Sequence, residues 1–430
     1  MKDRGGQPGT IMPEQGEFVK RTRWLMASVL VPAAATAAAL AAPVASQAAH
    51  LALRTSGSKV IASSAKWREY PLPISGNASV YGISAPGRND AWAVGATFGS
   101  TGKARAYVRA AHGPAVLPAV HPGDGAGCVP MQGDGSLLMH WNGARWARVA
   151  VPQVGDIGYV TVAGPADLSV AAACESLHWN GKTWAAASYA HVPNMQNFTL
   201  TGFAADGPRD GWLTGVVSGT NGFFTGYAER WNGSRWRRVQ LPNLGADYGL
   251  SGVAALGPDN VWVGGWDANQ HMILLHWNGR SWTLAPAPGT GYRMTEIYTV
   301  RAVAPGDVWT VGYGSRAVAP NIVRSPLIIH WTGHRWENTP APAPPYHSEI
   351  YTIADDHGQL WAAGDTFTPA GDTYGMALLR WTGSRWTASP PPAAGEGAVS
   401  QLTAVPGGGL WGAGYISDAS GLPRPVIARR

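Results

Sequence analysis

Two glutamates stand in identical tetrads, and carboxylates are the residues of this chain best suited to chemistry. Both tetrads read Glu-Ile-Tyr-Thr and cover residues 296–299 and 349–352. Two carboxylates held roughly 5–10 Å apart can act as general acid and as base or nucleophile in glycoside hydrolysis. Glu296 and Glu349 are therefore candidate catalytic residues of an extracellular carbohydrate-active enzyme, a glycoside hydrolase or a lyase. Copying of one structural repeat explains the same pattern without chemistry, and we favour that interpretation.

Motifs of several other enzyme classes are missing from the sequence. It contains no G-x-S-x-G nucleophile elbow, no H-E-x-x-H zinc motif, no phosphate-binding loop and no calcium-loop pattern. We therefore predict no metal site and no cofactor, and a non-catalytic role is favoured over an enzymatic one.

A short phrase, W-[NT]-G-x-x-W, organises the chain. It occurs six times, beginning at Trp141, Trp179, Trp231, Trp277, Trp331 and Trp381. The copies follow one another at intervals of 38 to 54 residues. Recurrence at such a period is typical of repeat architectures, in which each unit packs against its neighbours.

A second phrase lies between the copies and consists of an apolar strand, a turn rich in Gly, Pro and Asp, and a strand that begins near a Trp. Residues 85–95, 256–264 and 304–312 are examples. Short runs rich in Val, Ile, Trp and Tyr between such turns predict β-strands. Four antiparallel strands in each unit of about 40 to 50 residues predict the blade of a β-propeller. The expected fold class is all-β.

Polar residues at fixed places in the repeat have structural interpretations. Several Asp residues, including Asp90, Asp210 and Asp307, stand two positions before a strand Trp. We expect each of them to bond its own backbone and hold the turn. His or Arg precedes the first Trp of each phrase, and residues spread around a ring cannot converge on one metal ion. We expect these side chains to pack or hydrogen-bond beside Trp.

Seven blades account for the chain. Six units are complete, and a seventh begins at Leu402 and stops after a third strand at 425–430. The other end of the chain supplies the missing strand, because residues 66–73 read like the end of another copy. We predict a seven-bladed β-propeller with four-stranded blades over residues 64–430, closed by the N-terminal strand joining the C-terminal blade.

The first 48 residues are predicted to be a signal peptide. Lys20, Arg21 and Arg23 precede an Ala-rich apolar stretch, and the small residues at 46–48 suit a cleavage site. Residues 49–63 are then a linker. The alternative is an uncleaved membrane anchor, because the stretch is long enough to span a bilayer. Cleavage predicts a secreted, extracellular protein with no membrane span.

The net charge bears on the class of binding partner, and the cysteine content bears on a disulfide. Beyond residue 48 the chain has 27 Lys and Arg against 23 Asp and Glu, a net charge of +4, without a clustered basic stripe. We therefore predict no nucleic-acid partner. In an exported chain the two cysteines, Cys128 and Cys174, invite a disulfide. Two unpaired thiols are the alternative.

The two faces of a propeller differ in their loops. Turns between strands one and two and between strands three and four are short here, whereas loops between strands two and three and between blades vary. Variable loops on a rigid scaffold are where binding usually resides. The candidate ligand-binding residues on this variable face are Tyr248, Trp266, Asp267, Tyr292, Arg293, Tyr346 and His347. The alternative is that these loops merely cover the strand ends.

The two repeated phrases, taken together, resemble those of known protein groups. N-D-A-W-A-V-G at residues 89–95, together with L-L-H-W-N-G-R-S-W at 274–282, resembles a group of secreted bacterial repeat propellers. More distantly, W-N-G-x-x-W is similar to the blade motif of seven-bladed propeller lectins. The resemblance covers about residues 64–430. It implies the propeller fold and, from the lectins, sugar binding between blades.

These features together predict a secreted, non-catalytic propeller that binds a glycan or an extracellular or cell-envelope protein through its variable face. The alternatives are the carbohydrate-active enzyme with carboxylates at the channel mouth and a structural scaffold without a small ligand.

Overall fold

The computed structural model describes residues 67–74, 77–98, 135–164, 166–190, 196–205, 207–219, 221–318, 321–342, 347–367, 373–418 and 423–430. Within these ranges the chain forms 28 strands, arranged as seven antiparallel sheets of four strands each. The predicted signal peptide and linker lie outside the described residues, so the boundaries after residues 48 and 63 stay predictions.

The first strand of each blade lines a central channel, and the second pairs with it. The inner strands are β2 (Asn77–Gly87), β6 (Ile157–Gly164), β10 (Gln196–Ala205), β14 (Gly249–Ala255), β18 (Met294–Ala304), β22 (His347–Asp356) and β26 (Gly397–Ala404). The second strands are β3 (Asp90–Phe98), β7 (Asp167–Ala172), β11 (Gly211–Ser218), β15 (Val261–Trp266), β19 (Asp307–Val318), β23 (Gln359–Phe367) and β27 (Leu410–Ser417).

The third strand of each blade ends in the W-[NT]-G phrase, and the short outer strand follows that turn. The third strands are β4 (Gly135–Trp141), β8 (Glu175–Trp179), β12 (Phe224–Trp231), β16 (Met272–Trp277), β20 (Asn321–Trp331), β24 (Thr373–Trp381) and β28 (Pro423–Arg429). The outer strands are β5 (Trp146–Arg148), β9 (Trp184–Ser188), β13 (Trp236–Arg238), β17 (Trp282–Leu284), β21 (Trp336–Asn338), β25 (Trp386–Ala388) and, in the last blade, β1 (Arg68–Glu69).

Strand β1 closes the ring. It pairs antiparallel with β28, with Arg68 opposite Arg429 and Glu69 opposite Ala428. Trp67, immediately before β1, is buried in the core between the sixth and the last blade. The last sheet therefore has the order β1-β28-β27-β26. The predicted seven-bladed fold and its closure by the N-terminal strand are both confirmed.

Tryptophans fill the space between neighbouring blades. Trp309 of the fifth blade meets Trp381 and Trp386 of the sixth, with ring centroids 5.4 and 5.8 Å apart. Similar trios are Trp212 with Trp277 and Trp282, Trp262 with Trp331 and Trp336, and Trp411 with Trp141 and Trp146. Each buried Trp removes roughly 150–250 Å² from water, so these residues are framework that joins the blades.

The second blade departs from this pattern. Ser169 stands where the other blades have the second-strand Trp. The space beside Trp236 of the third blade is instead filled by Tyr189 and Phe203, whose ring centroids both lie 6.0 Å from that of Trp236. Aromatic packing between the second and third blades is thus kept with different residues.

Hydrogen bonds also join adjacent inner strands. Thr201 Oγ1 donates to the Leu250 carbonyl at 2.7 Å, linking the third and fourth blades. Thr299 Oγ1 donates to the Tyr351 carbonyl at 2.8 Å, linking the fifth and sixth. These bonds fix the spacing of the strands that position the channel side chains.

Candidate functional site

The seven inner strands enclose a cavity of about 530 Å³, a size typical of small-molecule sites. Each inner strand has a bulge at the corresponding place, where the register with its second strand skips one residue, or two in β14. The bulged residues that line the cavity are Tyr81, Gly158, Thr201, Ser251, Tyr298, Tyr351 and Ser400. Because a bulge re-aims its side chain, the sheets present a ring of residues to the channel.

The channel wall is asymmetric. Tyr298 of the fifth blade and Tyr351 of the sixth are neighbours with ring centroids 5.4 Å apart, whereas blades two to four have smaller residues at these positions. Of the described residues that line the cavity, those with charged side chains are Glu296 and Arg301, and both belong to β18. In a ring of repeats, this concentration at one seam distinguishes a candidate site from the common framework.

Glu296 is the carboxylate that faces the cavity. It lies opposite Tyr313 across the β18–β19 ladder, and the Tyr313 hydroxyl donates to Glu296 Oε2 at 2.8 Å. Among the described residues, Oε1 has no hydrogen-bond partner. Burial raises the pKa of Glu296 to about 7; Glu349 adds to the rise, while the Tyr313 hydrogen bond and Arg324 oppose it.

Glu349 is held on both of its oxygens. Arg324 forms an ion pair with Oε1, and the Tyr298 hydroxyl donates to Oε2 at 2.8 Å. Its side chain is only 6% exposed. The Arg324 guanidinium also lies 4.5 Å from the ring centroid of Tyr313. Glu349 therefore fastens the fifth blade to the sixth and presents no open oxygen to a ligand.

The two tetrads are copies in their framework residues and differ in their glutamates. Ile297 and Ile350 are completely buried. Thr299 and Thr352 each make a hydrogen bond to the following blade, the latter by accepting from the Leu402 N–H at 3.1 Å. Repeat copying explains the Ile and Thr positions. It does not explain the glutamates, because one is open to the cavity and the other is locked.

His347 supports this seam from the start of β22. Its Nδ1 accepts the backbone N–H of Arg324 at 3.1 Å, and its ring stacks on Phe367 with centroids 5.1 Å apart. Burial lowers the pKa of His347, Arg324 lowers it further, and Glu349 opposes this. The hydrogen bond holds β20 beside β22, where Arg324 reaches Glu349.

Three other predicted ligand-binding residues are packed into the blades. Trp266 is buried with its ring edge-on to Phe224 at 5.5 Å, and it also borders the central cavity. Gly226 and Gly314 leave room for the rings of Tyr248 and Tyr292, because a Cβ at either glycine would come within 2.8 Å and 2.1 Å of those rings. Their aromatic character is thereby used in the core of the variable face.

The remaining candidates are dispersed. Asp267 Oδ1 accepts the backbone N–H groups of Asn269 and His271 and so holds the turn after β15. Arg293 is exposed and pairs through its backbone with Ser315. Tyr346 lies outside the described residues. Of the seven candidates, the structure brings His347 into the cluster around the two glutamates, and the ligand-binding roles of all seven stay predictions.

Tyr313, Arg324 and Asp365 belong to the cluster and were not among the predicted site residues. Tyr351 hydrogen-bonds Asp365, and its pKa is raised by burial and by that carboxylate. A signal for two of them is present in the sequence. In most blades the second-strand Trp is followed three residues later by Gly, a pattern written W-x-x-G. The residue after this Gly is Tyr313 in the fifth blade and Asp365 in the sixth, but Ala or Val in the first and third blades. Arg324 has no such signal, because it lies outside the two repeated phrases of the sequence.

Other site types can be considered for the described part of the chain. It holds no group of three or more His, Cys, Asp or Glu placed to bind a metal ion. Within the same ranges no helix has the length and apolar character needed to cross a bilayer. Cys174 is disulfide-bonded, but Cys128 lies outside the described residues, and so the predicted pairing of these two stays a prediction.

Comparisons with known proteins assign the chain to no family. No family model and no curated protein matches the chain. Among solved structures, YCF48 from Cyanidioschyzon merolae is 13% identical with a TM-score of 0.49, covering 85% of this chain and 98% of that one. YCF48 bound to D1 peptide is 12% identical (TM-score 0.48, 85% and 94% covered), and the WD40 β-propeller domain of Doa1 is 10% identical (0.48, 85% and 97%). The similarity to lectins stays a prediction.

Proposed function

We propose that the protein is a secreted, non-catalytic propeller that binds a glycan at the variable-loop mouth of its channel, at the seam between the fifth and sixth blades. The observation that carries the proposal is the open oxygen of Glu296, which faces the cavity beside Tyr298 and Tyr351. Secretion follows from the signal peptide predicted at residues 1–48.

Glycan chemistry suits these groups. Sugar hydroxyls donate hydrogen bonds, and Glu296 Oε1 is a strong acceptor when the carboxyl is ionised, above its pKa of about 7. Tyrosines combine an apolar ring, on which a sugar face can pack, with a polar hydroxyl. The cavity volume of about 530 Å³ lies within the range of small-molecule sites. Glu349, Arg324 and His347 hold the wall in position and need not touch the ligand.

A glycan array tests the proposal. Residues 49–430 are compared as wild type, Glu296→Gln and Glu337→Gln. The last is a matched control, because Glu337 belongs to the same blade but lies on the outer strand β21 with a half-exposed side chain. At about pH 8, where Glu296 is ionised, we expect wild type and the control to bind the same glycans. Glu296→Gln should bind them at least about tenfold more weakly, as expected for loss of a charge-assisted hydrogen bond.

Two results would contradict this proposal. Equal binding by Glu296→Gln and wild type removes the seam as the site. Silence on the array combined with capture of a defined extracellular or cell-envelope protein, lost in Glu296→Gln, replaces the glycan with a protein ligand at the same mouth.

A second candidate is a carbohydrate-active enzyme. It is favoured by one observation: Glu296 has its pKa raised to about 7 while the neighbouring Glu349 is paired with Arg324. Two carboxyl groups in contrasting environments are the arrangement of an acid with a base or nucleophile. Polysaccharide turnover that Glu296→Gln abolishes, with binding retained, would establish the enzyme in place of the binding module.

A further inference from the structure

Every described W-[NT]-G turn carries an exposed cation at its tip. These cations are Arg145, Lys182, Arg235, Arg280, Arg335 and Arg385. Lys182 and Arg280 each occupy the first of the two variable positions of W-[NT]-G-x-x-W. In the other four turns the cation occupies the second variable position. Copying of a repeat would keep one position and one residue type. Copying therefore accounts for the four Arg residues at the second position, but the two turns that depart from it still carry a cation, at Lys182 and Arg280, which indicates that the charge itself matters.

The fold places these tips on one rim. Each turn joins a third strand to its outer strand, and by the antiparallel order all such turns lie on the face opposite the variable loops. Because the blades surround one channel, the tips form a ring around the edge of that face. Charges that are scattered along the sequence, and gave no basic stripe there, thus become one planar array, which we name the cationic rim.

The charge of the cationic rim is largely uncompensated. Among the described residues, Arg335 is the rim cation with an ion pair, to Glu337 at 2.8 Å, and both side chains are well exposed. Nearby aspartates are mostly committed within their own blades, as in the pairs of Asp90 with His140 and of Asp210 with Arg230. Asp259 is an exposed acidic residue of the same face and forms no ion pair with any residue that the structure describes. Exposed Arg88 and Arg209 add further positive charge to the neighbouring turns.

We propose that the cationic rim docks the protein onto an anionic lipid surface. A planar ring of charges meets a flat surface at all its points at once, whereas a linear polyanion would have to follow the circumference to do so. Each Lys or Arg near an anionic membrane contributes about 1 kcal/mol, a factor of about 5 in partitioning. Docking by this face leaves the variable-loop mouth pointing away from the membrane and open to its ligand.

Vesicle partitioning of the full chain tests the proposal. The vesicles are phosphatidylcholine, either pure or with about one third phosphatidylglycerol. The test variant combines Arg145→Gln, Arg235→Gln and Arg385→Gln, three exposed substitutions that break no ion pair in the described residues. The control is Arg316→Gln, an exposed cation at the variable-face end of β19. All proteins carry the same leader, so its own affinity for lipid cancels in the comparison.

We expect wild type to partition more strongly onto the anionic vesicles than onto neutral ones, and this preference to fall as salt rises from about 0.1 M to about 0.5 M. The triple variant is expected to lose about 100-fold in binding to anionic vesicles. The control is expected to bind as wild type does.

Three outcomes overturn the proposal. The first is a triple variant that partitions as wild type does. The second is an effect of Arg316→Gln equal to one third of the triple variant's effect on a logarithmic scale, which means that net charge alone is sensed. The third is rim-dependent binding to dextran sulfate with no preference for anionic vesicles, which assigns the rim to a soluble polyanion.

Discussion

Aspartates two residues before the second-strand tryptophans hydrogen-bond to histidines of the third strand, an interaction that we call a lock. They were expected to hold their own turns, but Asp90 accepts from His140 Nε2 at 2.8 Å and Asp307 does the same for His330 at 2.8 Å. The register explains the difference, because the His lies directly opposite the Trp and stacks on it, at 3.9 Å between the centroids of Trp309 and His330. The expectation that these histidines pack and hydrogen-bond beside Trp is confirmed.

Removing one lock is expected to lower stability measurably. In Asp307→Ala, His330 Nε2 and Trp309 Nε1, which donates to Asp307 at 2.6 Å, both lose their acceptor. We expect a loss of about 1–3 kcal/mol in the free energy of unfolding, measured by denaturant titration. Asp259→Ala, in the equivalent turn of the preceding blade but exposed, is the control and should change stability by less than about 0.5 kcal/mol. Equal effects would contradict the lock.

Glu296 also makes stability depend on pH. Its folded pKa of about 7 lies above the unpaired value of 4.5, so between these values the folded state binds more protons than the unfolded state. Stability therefore falls as pH rises through that window and is constant above it. Glu296→Gln should lack this fall, worth about 2 kcal/mol after screening by channel water. Parallel stability curves for both proteins between pH 4.5 and 7.5, measured by denaturation, would contradict the assignment.

At the scale of the element, the glycine of W-x-x-G marks the bulge. A Cβ at Gly95, Gly312, Gly364 or Gly414 would lie 1.8–2.1 Å from a carbonyl oxygen of the inner strand. The sequence predicts these second strands but cannot predict the bulge beside them, because a bulge is a property of two paired strands. For the same reason the sequence identifies Glu296 and Glu349 but not the turning of Tyr298 into the channel.

Substitution of this glycine is expected to be far more damaging than substitution of another glycine in the same blade. Gly364→Ala forces the Glu349 carbonyl away from a position 2.0 Å from the new Cβ, which strains β22 and the seam. Gly375→Ala is the control, because its Cβ would have no neighbour nearer than 3.7 Å. We expect Gly364→Ala to lower stability by about 2–4 kcal/mol and Gly375→Ala by less than about 1. A thermal-unfolding series with the reverse order would be inconsistent with a close-packed bulge.

At the scale of the whole molecule, the number of blades and their closure were predictable from the sequence. Repeats, their tryptophans and the matching chain ends determine which strand belongs to which sheet. Contacts between blades were less predictable. Arg324 and Glu349 are 25 residues apart in different blades, and no periodic pattern connects them. The cationic rim was likewise invisible along the chain, because only the ring brings the six turns to one face.

Loss of the closing strand is expected to open the ring. A chain that begins at residue 75 lacks β1 and Trp67, so the edge of β28 and the core around Trp361 become exposed. We expect a lower unfolding temperature and association through the free edge, measured by calorimetry and light scattering. A chain that begins at residue 64 retains both elements and should show no added association and an unchanged unfolding temperature. If both truncations behave alike, closure by β1 does not stabilise the ring.

The central claim is that one seam of a repetitive ring has become a polar site with a single open carboxyl group. Its most direct test is a ¹³C NMR titration of the glutamate side-chain carboxyls, with Glu296 assigned from the Glu296→Gln spectrum. The predicted result is a resonance that titrates with a midpoint near pH 7 and disappears in the variant. A Glu296 midpoint near 4.5, the value of an isolated glutamate, would mean that Glu296 is an ordinary solvated side chain and would contradict the account.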